Sequence, residues 1–177
     1  MAQGAHLYRG TIELADSDRN HYAHLTPSTI LHPSESKERL ALRLLAYALL
    51  HAEGLTFRPG GVSEGEAPEL ARQDDSGRLS HWIEVGTPAA ARLQQAARRA
   101  RVSVVTHEGL LRRWRSQHRG RLPSFEGEIL VLEAPLVTTL AETLPRRFHW
   151  QATISGGTLY LDADGEALSS TLQLLSN

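Results

Sequence analysis

The chain contains no cysteine. Disulfides are excluded, and so is any thiolate zinc site, which leaves carboxylates, carbonyls, histidines and water as metal ligands. Those donors suit Mg2+ or Mn2+ better than zinc. Lysine is nearly missing too: Lys37 is the only one, so arginine carries the positive charge and stands in places where lysine is often used. No apolar run is long enough to cross a bilayer, the longest, Leu40 to Leu50, being interrupted by Arg43. The N-terminus shows no charged-then-apolar signal pattern, and a soluble, cytoplasmic protein is expected. A nucleophile triad, a phosphate loop and a dinucleotide fingerprint are all absent.

What is present is 177 residues, 41% of them hydrophobic, enough for one core and one domain over residues 1–177. The net charge of −1 points to no partner, yet the charge is unevenly placed. Between Arg98 and Arg121 stand eight arginines and one acid, Glu108.

Patterning predicts strands over Leu7 to Ala15 and Tyr22 to Leu31 around an Asp16 to Asn20 turn, then a helix started by Pro33 and Ser34. Leu40, Leu42, Leu44, Leu45, Leu49 and Leu50 make that helix apolar on most of its surface, so it is expected to be largely buried. Arg58 to Glu66 reads as a loop. Glu69 to Gln73 and Arg78 to Val85 read as a hairpin across Asp74 to Gly77. Helix over Pro88 to Arg99, strand over Val102 to Thr106, helix over Leu110 to His118, strand over Glu128 to Glu133 and helix over Leu136 to Leu144 follow. A meander over Phe148 to Leu174 ends the pattern, with turns at Gly156-Gly157 and Asp162 to Gly165. This order predicts an α/β domain: a mixed β-sheet flanked by helices, with additional antiparallel strands.

Within HWIEVGTP, Glu84 stands between Ile83 and Val85, where an apolar residue would serve a buried strand better. A symmetric hairpin pairs Glu69 with Trp82 and sets Glu84 on the same face as Glu69, at a diagonal of roughly 7–8 Å. Glu35 and Glu38 share a helical stripe with Leu42, Leu45 and Leu49, so a third acid can join. Three half-buried carboxylates repel one another and take up protons unless a cation neutralises them, and a hard divalent ion is the natural one.

The run His32-Pro33-Ser34-Glu35, Glu38-Arg39, Leu44-Leu45-Ala46, the EAPEL of Glu66 to Leu70, Trp82 to Gly86, Arg99-Ala100-Arg101 and the segment Leu14 to Tyr22 resemble the bacterial YaeQ family along the whole chain. The resemblance implies a variant of the PD-(D/E)XK restriction-endonuclease-like fold. Its pattern is a helix acid, a Pro-acid pair, and an acid followed two residues on by lysine. Carried over, Glu38 or Glu35 is the helix acid, Pro68-Glu69 the pair and Glu84 the strand acid, with Glu69 and Glu84 holding Mg2+ or Mn2+. Gly86 stands where the lysine belongs. Arg101 is the expected substitute, able to stabilise phosphate charge but not to act as a base, with Lys37 on another helical face a weaker choice.

Two functions follow: a metal-dependent phosphodiesterase or nuclease on DNA or RNA using Glu38, Glu69, Glu84 and Arg101, or an inactive nuclease-fold module that binds nucleic acid or a protein partner. Simpler roles stand beside each assignment. Glu84 alone reads as a solvent-facing residue of an edge strand, and Glu35 with Arg39 as a helix ion pair. Arg98, Arg99, Arg112, Arg113 and Arg115, with Trp114 to stack on, suit nucleic acid. The stronger reading is that Leu110, Leu111, Trp114 and His118 form an inward stripe that leaves the arginines an ordinary solvated face. His21 and His24 read as strand and turn residues rather than metal ligands.

Overall fold

The computed structural model describes residues 4–58 and 67–176, so most of the loop expected between Arg58 and Glu66 lies outside the described residues. β1 (His6–Asp16) pairs antiparallel with β2 (His21–Leu25) and, farther along the same edge, with β3 (Ser28–Leu31). The single strand expected over Tyr22 to Leu31 is therefore two. Pro27 lies at the break and, having no N–H to give a ladder, contributes its carbonyl to the Gly10 N–H at 3.1 Å.

α1 (Lys37–Leu49) begins later than Pro33 and Ser34 suggest. Ser36 is the N-cap and accepts from the Arg39 N–H at 3.1 Å. His32 to Glu35 instead form a turn closed by Glu35 N–H to His32 C=O at 2.9 Å. β4 (Leu55–Phe57), which the sequence pattern does not reveal, pairs with β5 (Leu70–Gln73), and β5 with β6 (Leu79–Val85). α2 (Ala90–Ala97), β7 (Arg101–His107), α3 (Glu108–Gln117), β8 (Glu128–Leu132) and α4 (Ala134–Thr143) follow close to expectation. Of the terminal strands, β9 (Arg147–Ser155), β10 (Thr158–Ala163) and β11 (Glu166–Thr171) form the expected meander. β12 (Gln173–Ser176) departs from it and pairs with β8.

The strands build two mixed sheets rather than one. The first runs β11-β10-β9-β1-β2, with β3 beside β2 on β1; the second runs β12-β8-β7-β6-β5-β4. β1 and β9 are parallel, as are β6, β7 and β8, whose crossovers are α2 and α3. One apolar core joins Ile12, Phe148 and Trp150 of the first sheet, Leu40 to Leu49 of α1, Leu136 to Leu140 of α4, and Leu70, Ile83 and Val105 of the second. α1 and α4 thus lie between the sheets, which is why α1 is apolar nearly all round. A second core sets Leu93 of α2 and Leu111 and Trp114 of α3 against Trp82, Val102 and Val104 on the far face of the second sheet.

One glycine is dictated by this packing. A Cβ at Gly10 would meet the Phe148 ring at 2.4 Å, and Phe148 is fully buried and unable to yield. No described helix is long and apolar enough to cross a membrane.

Candidate functional site

Successive residues of β6 face opposite layers. Ile83 and Val85 enter the core around α1, while Trp82 belongs to the core under α2 and α3. Glu84 shares the Trp82 side and is buried, 1% exposed, so it is not the solvent-facing edge residue its isolated occurrence suggests. Its carboxylate accepts from Trp82 Nε1 at 2.6 Å and from Arg92 of α2 at 2.8 Å through Nε, with Arg92 Nη2 at 2.7 Å. Arg92 also bonds the Ala67 carbonyl at 2.6 Å.

The hairpin register differs from the symmetric one. Leu70 pairs with Ile83 and Ala71 with Trp82, with an irregularity at Arg72/Gln73 absorbing the difference. Glu69 is thereby carried to the level of Glu84 instead of Trp82. A slip of two residues conserves the face, so the two acids still approach one another. Glu69, also 1% exposed, turns to α1: Arg39 donates to Oε1 through Nε at 3.0 Å and through Nη2, and Arg43 Nη1 lies 3.3 Å from Oε2.

The third acid is Glu35. It precedes the helix and pairs with Arg43, which donates through Nη1 and, at 3.1 Å, through Nη2. Its expected pairing with Arg39 survives only at 4.0 Å. Arg43 itself is 2% exposed in mid-helix and completes its bonds on the Ile30 carbonyl at 2.7 Å. Glu38 does not join. Its side chain is 40% exposed and lies 3.4 Å from His107 Nε2.

Arg101 is not brought to the acids either. It pairs across β6 and β7 with His81, three residues below the Glu84 level, is 65% exposed, and bonds Glu128 at 2.7 Å. The cation beside Gly86 is Arg39, whose Nη1 bonds the Val85 carbonyl at 3.3 Å and would lie 3.5 Å from a Cβ at Gly86. Gly86 has φ +82°, a left-handed conformation unfavourable to lysine. Lys37, at the start of α1, is exposed.

Electrostatics follow these pairings. Burial pushes Glu69 upward, but Arg39 and Arg43 outweigh it and hold the carboxyl below its ordinary value. Burial dominates at Glu84, and with the Glu69 charge it raises the carboxyl against the pull of Arg92 and Trp82. Arg58, half-buried, is lowered mainly by burial. Each acid thus has a guanidinium as its counter-ion. A divalent ion would have to displace Arg39 and Arg43 from Glu69 and Arg92 from Glu84, so this donor set does not fit a resident metal. Among the described residues no three His, Asp or Glu side chains are grouped to hold one.

The remaining candidates lie elsewhere. Leu111 and Trp114 are buried and Leu110 and His118 half-buried, as the inward stripe requires, so Trp114 offers no stacking surface. Arg98, Arg99, Arg112, Arg113 and Arg115 are exposed, Arg99 lying over the Trp82 ring at 5.9 Å. His21 meets His51, and His24 meets Glu13, so the two do not converge.

Arg43, Arg58 and Arg92 are the site residues that sequence reasoning did not single out, and Arg39 entered only as the helix partner of Glu35. Arg43 carried a usable signal, because a charge inside a leucine helix needs a buried partner.

Two mixed sheets enclosing α1, with an arginine–glutamate cluster buried where α1, β5 and β6 meet, define a mixed α/β protein with an ion-paired site. The chain belongs to the YaeQ family, whose model, described as YaeQ protein, matches residues 1–172. It is 32% identical over 164 residues to the uncharacterized protein YaeQ of Salmonella typhi, covering 91% of this chain and 90% of that one. Against the Escherichia coli K12 protein of the same name it is 30% identical over 175 residues, covering 97% and 96%. Crystal structures of YaeQ from Pseudomonas syringae (TM-score 0.87, 32% identity, 98% and 97% covered) and Xanthomonas axonopodis pv. citri (TM-score 0.84, 26% identity, 97% and 98% covered) share the fold.

Proposed function

We propose that the protein is a binding module on a PD-(D/E)XK-like fold, without metal-dependent cleavage, and that it holds nucleic acid by its phosphates. Pro68-Glu69 before β5 and Glu84 on β6, two residues ahead of Gly86, support the nuclease-like descent. The arginine neutralisation of those acids supports loss of catalysis, because phosphoryl chemistry needs carboxylates free to hold metal.

One observation carries the binding reading. All eight arginines from Arg98 to Arg121 are exposed, on α3 and the segments bounding α2 and α3, with Glu108 the only acid in that stretch. Clustered arginine on one layer is an electrostatic footprint for phosphate.

The test is a titration of duplex and single-stranded oligonucleotides across salt concentrations. Binding is expected to be tightest at about 50 mM salt, and replacing Arg112, Arg113 and Arg115 by Gln to flatten the salt slope by about 0.7–0.9 for each phosphate no longer neutralised. No binding at low salt in the wild type, or an unchanged slope in the variant, would replace this reading with a protein-partner role. Mg2+- or Mn2+-dependent cleavage that Glu84→Gln abolishes would restore the nuclease reading.

A further inference from the structure

The cleft between α1 and α2, about 300 Å3 in volume, is walled by Arg39, Arg58 and Arg92 together with Glu35, Glu69 and Glu84. Arg43 stands behind the wall between Glu35 and Glu69. Arg39 is bonded to Glu69 and Arg92 to Glu84, whereas Arg58 is bonded to no carboxylate among the described residues. Arg39 commits three of a guanidinium's five N–H groups, two to Glu69 and one to the Val85 carbonyl. Arg58 commits only Nε, to the Pro68 carbonyl at 3.1 Å, and its two Nη groups have no protein partner among the described residues. A half-buried guanidinium has lost part of its hydration, and a bound anion would replace it with charge-assisted bonds.

The geometry points to an oxyanion site: the cleft takes the phosphate of a phosphomonoester, with the Arg58 fork as its main contact and Arg39 as the second. Phosphate fits better than a carboxylate because it satisfies a planar fork with two oxygens and still offers a third to another donor. Burial lowers Arg58 against the pull of Glu69 and Glu84, and burial raises the neighbouring Glu84. The site is independent of the arginine layer on α2 and α3, since it uses none of those residues.

The experiment titrates inorganic phosphate into the full chain at fixed ionic strength and follows the melting temperature, with wild type, Arg58→Gln and, as a control on the first sheet, the exposed Arg147→Gln in parallel. A saturable rise is expected in wild type and Arg147→Gln and none in Arg58→Gln. No saturable rise in the wild type, or one undiminished in Arg58→Gln, overturns the proposal, as does stabilisation by Mn2+ where phosphate gives none. If Arg58→Gln does not fold, Arg58→Lys decides: it keeps the charge but loses the fork, and about tenfold weaker phosphate binding is expected, equal affinity being contrary. Two sources of the phosphate are then separated. Preference for a 5′-phosphorylated over a 5′-hydroxyl oligonucleotide, lost in Arg58→Gln, identifies a strand end. Equal binding of the two, with a small alkyl phosphate still stabilising the wild type, identifies a small phosphorylated molecule.

Discussion

At the residue scale the second sheet holds a polar chain away from the cleft. His81 Nε2 lies 2.7 Å from Ser103 Oγ, and that hydroxyl lies 2.7 Å from Glu128. A carboxylate only accepts, so Ser103 donates to Glu128 and accepts from His81, which fixes the proton on Nε2. Burial first, then Arg101 and Arg72, press His81 down to about 4 against the pull of Glu128. The folded state therefore binds the His81 proton less readily than the unfolded chain does. Stability from this residue is complete above about 6.5, falls as pH drops and is gone below about 4. The loss is expected to be about 1–3 kcal/mol, given 1.36 kcal/mol per unit and partial exposure. Urea melts between pH 7 and 4 should show it, and His81→Gln should flatten the curve; parallel curves for the two proteins would contradict the assignment.

At the element scale α1 depends on one buried cation. Arg43 sits among leucines and is shared by Glu35 and Glu69, so removing it strands two buried carboxylates. Arg43→Ala is expected to cost about 3–5 kcal/mol near neutral pH. The deficit should shrink in acid, where the stranded carboxylates take up protons. Chemical denaturation at pH 7 and pH 4.5 measures both, and a loss below about 1 kcal/mol at pH 7 would mean that the acids find other partners. The helix shows where sequence legibility ends. Its burial, and the meeting of Glu69 with Glu84, followed from leucine spacing and from a two-residue strand period that survives a slip of two. The choice of Glu35 over Glu38 did not, because it turns on a three-residue shift of the helix start that the Ser36 cap decides. The partners of the acids were hidden for another reason: Arg39, Arg58 and Arg92 come from distant segments, and no local period reports a contact across the fold. The two-sheet layout was hidden likewise, since β12 reads locally as a continuation of the meander and its pairing with β8 is a tertiary choice.

At the scale of the whole molecule, the first sheet joins segments far apart in the chain, β1 lying parallel to β9. Thr11 and His149, bonded side chain to side chain at 2.7 Å, are 138 residues apart. During synthesis β1 is among the first strands to leave the ribosome, and at about 5–20 residues per second it waits many seconds for β9. Over that interval one edge of β1 carries unpaired N–H and C=O groups, and Phe148 and Trp150, which complete the core around Ile12, are not yet made. A chain stopped before Arg147 is expected to aggregate instead of forming a smaller folded unit. Comparing the soluble yield of that truncation with the full chain tests this, and a soluble, cooperatively melting fragment would refute it. The strand that closes the sheet thus makes the nascent protein a client for whatever shields exposed edges in the cell until β9 arrives.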